Sequence, residues 1–145
     1  FFIAEIIFRR YETRVIAEMG GIRSQTPKFT SMFLILVMAS ISLPSTFNFV
    51  GEFTVLYSLS QINIWFAILG GTTIILGAYY MLRMFQHAML GETNSKLFAD
   101  VSINEGITLV AIIVVLLFFG LYPKPIIDLI TPSLEEILNQ INRIN

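Results

Sequence analysis

The residues able to do chemistry are crowded into one short interval. Ser42, Pro44, Ser45, Thr46, Asn48 and Glu52 all fall within SLPSTFNFVGEF, residues 42–53. On either side of Glu52 the chain is bare of charge, over the 23 residues Phe29–Gly51 and the 30 residues Phe53–Leu82. A carboxyl in such company is poised for proton exchange. Hydrocarbon favours the neutral acid, since an ionised side chain there costs about 2.5–3.5 kcal/mol on insertion scales. A nearby cation or a wet pocket favours the carboxylate. A group balanced between these effects can load and release a proton. The same acid can instead tie two helices together with one hydrogen bond, worth about 0.6–2 kcal/mol. Residue chemistry leaves both uses open.

The remaining candidates are sparser. His87 follows Arg83 by four residues, on one helix face, and offers either a step in a proton entry route or an interfacial contact to headgroups. Glu5 and Arg9 have the spacing of a local ion pair, while Glu12 and Arg14 read as connector charges or contacts to an adjacent chain. Gly70, Gly71 and Gly77 suit close helix packing. They do not suit phosphate binding, because no strand–loop–helix context surrounds them. The chain has no cysteine and one histidine. Thiolate iron–sulfur, thiolate zinc and disulfide chemistry are therefore excluded, and no haem or metal constellation is present. A net charge of −1 gives nucleic acid nothing to grip.

Positioning Glu52 falls to long apolar segments. Hydrophobic residues make up 55% of the 145 residues and charged ones 13%, about half the usual charged share. A helix of about 20 apolar residues spans a bilayer core, so an all-α integral membrane protein is expected. Residues 1–8 read as the end of a helix already under way, and 9–28 as a charged connector with turns at Gly20-Gly21 and Pro27. The apolar block 29–60 is roughly 48 Å long if helical throughout, too long for a core of about 30 Å. Pro44 lacks an N–H and crowds the carbonyl of Ser40, which costs about 3 kcal/mol in a helix interior. One crossing made of two half-helices is the economical reading. Ser42, Ser45, Thr46 and Asn48 are then expected to satisfy the freed backbone groups, which at membrane depth must be buried in protein or line a wet cavity.

Two further spans are expected at 64–89 and 107–122, separated by a polar loop at 91–105. A short amphipathic helix is expected at 131–144, with Thr131 as its cap and Pro132 in its first position. Leu134, Ile137, Leu138, Ile141 and Ile144 carry its apolar spacing. With 29–60 crossing once, Arg9, Arg10, Arg14, Arg23, Lys28, Arg83 and Lys96 share one side, against Lys124 and Arg143 on the other. The positive-inside rule places the first set in the cytoplasm and the C-terminus outside it.

LPSTFNFVGEF resembles the LPGT-x-x-FVGEF stretch of the antiporter-like proton channel subunits of respiratory complex I. FRRYETRVIAEMGGI resembles that family's connector before its broken helix, and FFGLYPKPIID the end of its last helix. The acid of FVGEF is similar to that of the M-type (chain 4) members, where L-type sisters usually carry lysine. The resemblance covers nearly all of this chain but only the C-terminal part of the family's, so the chain reads as a C-terminal fragment. It implies that 29–60 is a discontinuous transmembrane helix and that Glu52 lies on a polar axis leading to the outer side. Ser45 stands where the family commonly has glycine.

The implied activity is proton translocation, driven by electron transfer from NADH to quinone on other subunits. A charge change on the neighbouring axis would alter the proton affinity of Glu52, and water at the 44–48 break would carry the proton outward. NADH, FMN, iron–sulfur clusters and quinone would belong to those other subunits, with no cofactor, metal or redox catalysis in this chain. The implied surroundings are the other membrane-arm subunits and the lipid bilayer of a bacterial cytoplasmic membrane, or of a mitochondrial or other organelle inner membrane. A related cation/proton antiporter, a membrane-bound hydrogenase and a non-transporting membrane scaffold are the alternatives.

Overall fold

The computed structural model describes residues 1–13, 15–16, 19–91 and 98–144, leaving aside the side chains at 138 and 141–144. The expectations for Arg14, for Lys96 with residues 92–97 of the 91–105 loop, and for the side chains of Leu138, Ile141, Arg143 and Ile144 lie outside the described residues; residues 103–105 of that loop instead open α6. Every described element is helical: α1 Phe2–Tyr11, α2 Ile22–Gln25, α3 Pro27–Ser40, α4 Phe47–Ile62, α5 Ile64–Met89, α6 Ile103–Leu121 and α7 Lys124–Ile144.

Local chemistry sets most of these ends. α3 opens on Pro27, whose missing N–H costs nothing in a first turn. Its N-terminal N–H groups find an acceptor far along the chain. Asp100 accepts from Phe29 N–H at 3.1 Å through Oδ1 and from Lys28 N–H at 3.4 Å through Oδ2. α3 stops at Ser40, four residues before Pro44, where the proline cannot supply the next helical donor. Between α4 and α5 only Asn63 intervenes, and its side chain accepts from Trp65 N–H at 2.9 Å to start α5. α6 begins with a reciprocal cap: Ser102 N–H donates to Glu105 Oε2 at 3.0 Å while Glu105 N–H donates to Ser102 Oγ at 3.4 Å.

The tail departs from expectation. Its helix starts at Lys124, and Pro132 lies inside it. Thr131 is no cap; its hydroxyl donates to the Ile127 carbonyl one turn back, at 2.8 Å. Two prolines in this segment suit a first turn. The helix forms at the earlier one, Pro125, with the N–H groups of Ile126 and Ile127 both donating to the Pro123 carbonyl at 3.1 Å.

α3 and α4 lie one after the other along the single long helix α5. Phe33 of α3 meets Phe85 near the C-terminal end of α5, with ring centroids 5.4 Å apart. Leu56 and Leu59 of α4 close over Gly70 near the other end. α6 packs against both halves. The buried core gathers at the α3 end, around Ile7, Tyr11, Phe29, Phe33, Met89 and Leu109. α4 contributes no buried residue. α5 and α6 are long and apolar enough to cross a membrane, yet only 0% and 6% of their apolar windows are buried within the molecule. Their outer faces are bare hydrocarbon, which suits lipid or neighbouring helices and not water.

A polar knot closes the core at the end where α1, α3 and α6 begin or finish. Arg10 pairs with Glu105 at 2.6 Å, reaches the Asp100 carbonyl at 3.3 Å and lies over the Phe98 ring at 5.1 Å. Glu5 and Arg9 form the expected exposed pair on α1, at 2.9 Å.

Candidate functional site

The site is built on the interruption between α3 and α4. Ser42 and Ser45 both hold left-handed backbone conformations, with φ of 59° and 84°. Such conformations cost a side-chain-bearing residue roughly 1–2 kcal/mol. They turn the chain sharply enough for some freed groups to find partners. Ile41 N–H donates to the Val37 carbonyl at 3.1 Å and Leu43 N–H to the Met38 carbonyl at 3.2 Å. Thr46 donates to the Leu43 carbonyl from both its N–H, at 3.1 Å, and its hydroxyl, at 2.7 Å.

The four polar side chains expected to patch this break therefore divide. Thr46 does so. Ser42 does not, since its own hydroxyl is buried with no partner among the described residues. Ser45 is exposed and contributes backbone shape, and Asn48 is exposed on the first turn of α4 with no hydrogen bond among the described residues. The carbonyl–N–H pairing within the turn itself takes over part of their expected work.

α6 holds the break in place from the side. Gly120 lies so close that an added methyl would overlap the Ser45 carbonyl oxygen and stand 2.5 Å and 2.6 Å from the carbonyl carbon and Cα of Thr46. Sequence reasoning missed this contact; the visible signal was a single glycine inside the apolar run before Tyr122. Of the three glycines expected in packing, Gly70 meets Leu56 and Leu59, whereas Gly71 has nothing within 4 Å of an added methyl and Gly77 only its own helix's Tyr80, at 3.9 Å.

Glu52 is half-buried one turn after Asn48, on the wall of a groove of about 930 Å³. The groove runs between α4, the Gly70–Tyr80 stretch of α5 and the apolar side of α7, where Ile126 and Ile130 line it. Among the described residues the carboxyl has no ion pair and no hydrogen bond. Hydroxyls line the same groove, and two of them are already committed as donors: Thr54 to the Val50 carbonyl at 2.7 Å, Thr73 to the Gly70 carbonyl at 2.6 Å. Their free lone pairs remain as acceptors, so the groove offers Glu52 places for water and, among the described residues, no fixed counter-charge. His87 lies exposed beyond the α5 residues that line the groove, which end at Tyr80, so the two titratable groups are not brought together.

The sequence model of the NADH:quinone oxidoreductase/Mrp antiporter transmembrane family matches residues 1–77, which include the break and Glu52. The chain belongs to that family. NADH-quinone oxidoreductase subunit M of Rickettsia typhi is 36% identical over 141 residues, covering 95% of this chain and 28% of the relative. Subunit M of Mycobacterium tuberculosis is 34% identical over 146 residues, covering 99% of this chain and 26% of the relative. A chain of respiratory complex I from Thermus thermophilus with bound NADH superposes with a TM-score of 0.77 at 27% identity, over 83% of this chain and 26% of that one. The chain thus spans about a quarter of the length of the relatives it matches. Membership makes it an integral membrane protein, and its described elements are all helical, with the chain interrupted between α3 and α4. It also gives the bare faces of α5 and α6 their explanation, since in a family of membrane domains they meet lipid or other helices.

Proposed function

We propose that this chain moves protons across the membrane as part of the membrane arm of an NADH:quinone oxidoreductase, while other subunits carry electrons from NADH to quinone. Glu52 is the group that takes up and releases the proton. One observation carries the reading: a half-buried carboxyl with no counter-charge among the described residues stands one turn after a helix break, in a largely apolar groove that also holds the hydroxyls of Thr54 and Thr73. The partners are the other membrane-arm subunits and the surrounding lipid. The location is a bacterial cytoplasmic membrane, or alternatively an organelle inner membrane, and the distribution of Lys and Arg favours a C-terminus on the outer side.

The break supplies the path. Its irregular backbone requires protein or water beside it at membrane depth. A proton reaching or leaving Glu52 passes as hydrogen bonds exchange along that water, and the carboxyl alternates between acid and carboxylate. A change of charge on an adjacent subunit shifts the balance between the two forms. The family's description also covers Mrp-type antiporters, and a cation/proton exchange role is the second reading.

Glu52→Gln in the full-length chain, within its membrane assembly, tests the proposal. Gln keeps the shape and removes the titratable proton. NADH-driven proton uptake into vesicles should fall while the assembled complex is present in normal amount. Normal uptake, or loss traceable only to failed assembly, overturns the transport role. Uptake that persists only with a sodium gradient selects the antiporter reading.

A further inference from the structure

A second groove, of about 660 Å³, lies on the other side of the break between α1, α3, α5 and α6. Its lining is largely apolar, with Phe33, Val37 and Leu109 among its walls. Two residues line both this groove and the one that holds Glu52: Ser40 and Asn48. Both are polar, and they flank the break, one ending α3 and one in the first turn of α4. The partition between the grooves is therefore polar where the chain is interrupted.

The chemistry of these two residues is complementary. Ser40 donates its hydroxyl proton to the Leu36 carbonyl at 2.9 Å, which leaves its oxygen as an acceptor. The Ser40 carbonyl has lost its usual donor because residue 44 is proline. Asn48 offers two N–H donors and one carbonyl acceptor, none of them engaged among the described residues. Asn48 and Glu52 are four apart on α4, so their side chains lie on one helix face. A bound water needs two to four polar partners and room for itself. Ser40, Asn48 and Glu52 supply the partners, and the two grooves supply the room.

We propose that Asn48 is a positioning residue for proton transfer: with Ser40 it holds water across the break, so that the two grooves communicate through a hydrogen-bonded step ending on Glu52. The amide changes neither charge nor protonation. It donates to water or to the Glu52 carboxyl and accepts in return, and the proton itself moves along water to the carboxyl oxygen. This proposal rests on the proton-carrying role of Glu52.

The test compares Asn48→Leu, which keeps the branched side-chain shape and removes the hydrogen bonds, with Asn48→Ser, which restores a donor and an acceptor. Both are made in the full-length chain within its membrane assembly. Asn48→Leu should slow NADH-driven proton uptake about tenfold, the loss expected for one hydrogen bond missing from the transfer step. Asn48→Ser should recover most of the rate. The infrared carbonyl stretch of protonated Glu52, assigned by its disappearance in Glu52→Gln, should move in Asn48→Leu toward that of an unbonded acid. That shift would not accompany a purely structural role.

Wild-type uptake in Asn48→Leu alongside defective Glu52→Gln overturns this inference and leaves the role of Glu52 standing. Wild-type uptake in both overturns the two together. Should Asn48→Leu not assemble, Asn48→Ala, which also removes the hydrogen bonds, decides: uptake near wild type with an unmoved Glu52 band overturns the proposal, and a loss of uptake with a shifted band upholds it.

Discussion

Gly120→Ala adds one methyl group where α6 crosses the break, and the structure gives its consequence. The new carbon would overlap the Ser45 carbonyl oxygen and stand 2.5 Å from the Thr46 carbonyl carbon. Carbon atoms pack at about 3.5–4.0 Å, so the break and α6 must separate by roughly 1 Å. The atoms in the way are backbone, and no side chain can swing aside to relieve them. Overpacking of this kind costs about 1–3 kcal/mol. In the exposed interior of a helix the same change gains up to about 1 kcal/mol. Gly71→Ala is the matched control, since an added methyl there meets nothing within 4 Å. Thermal unfolding of the detergent-solubilised assembly, followed together with NADH-driven proton uptake, reads both effects. Gly120→Ala should melt lower than the parent and transport less, and Gly71→Ala should match or exceed the parent in stability. Equal melting of Gly120→Ala and the parent would show that α6 does not clamp the break.

Other outcomes follow from the same geometry. Ser45 holds a φ of 84°, so Ser45→Gly should raise stability by about 1 kcal/mol, read as a higher melting temperature, and a fall would show that the left-handed turn is not under strain. Arg10 and Glu105 pair at 2.6 Å with side chains 17% and 23% exposed, and Arg10→Ala should cost about 1.5–3 kcal/mol as a charge-assisted bond is lost. Replacing both by methionine should recover part of that loss, because neither charge is then left unpaired.

Features that depend on neighbouring residues were legible in the sequence. Pro44 announces the break because a missing N–H acts on its own turn. The uncharged runs announce α5 and α6 because crossing a bilayer requires little besides length and composition. Glu52 stood out by isolation, and Glu5 with Arg9 by spacing. What the sequence hid depends on pairings between distant segments. Gly120 meets residues some 75 positions earlier. Arg10 meets Glu105 across 95. Asp100 caps α3 from 71 and 72 residues away. No local pattern encodes such partners. The tail failed differently: Pro125 and Pro132 both carry a first-turn signal, and nothing local ranks them. The role of Asn48 was hidden because its neighbour in the chain, the break, suggested a nearer use than the partition between two grooves.

The uneven placement of the core has a mechanical consequence. The α3 end, with Phe29, Met89 and Leu109 sealed away from solvent, is stiff ground. α4 follows a strained turn and ends at the lone residue Asn63; it packs on α5 through Leu56 and Leu59 and on α6 through Phe47, but seals no residue away from solvent. Force applied by a neighbouring subunit would therefore tilt α4 as a rod before it disturbed α3. The acid rides on that rod, so a small push from outside changes which water it touches without any cost in melting the scaffold beneath it.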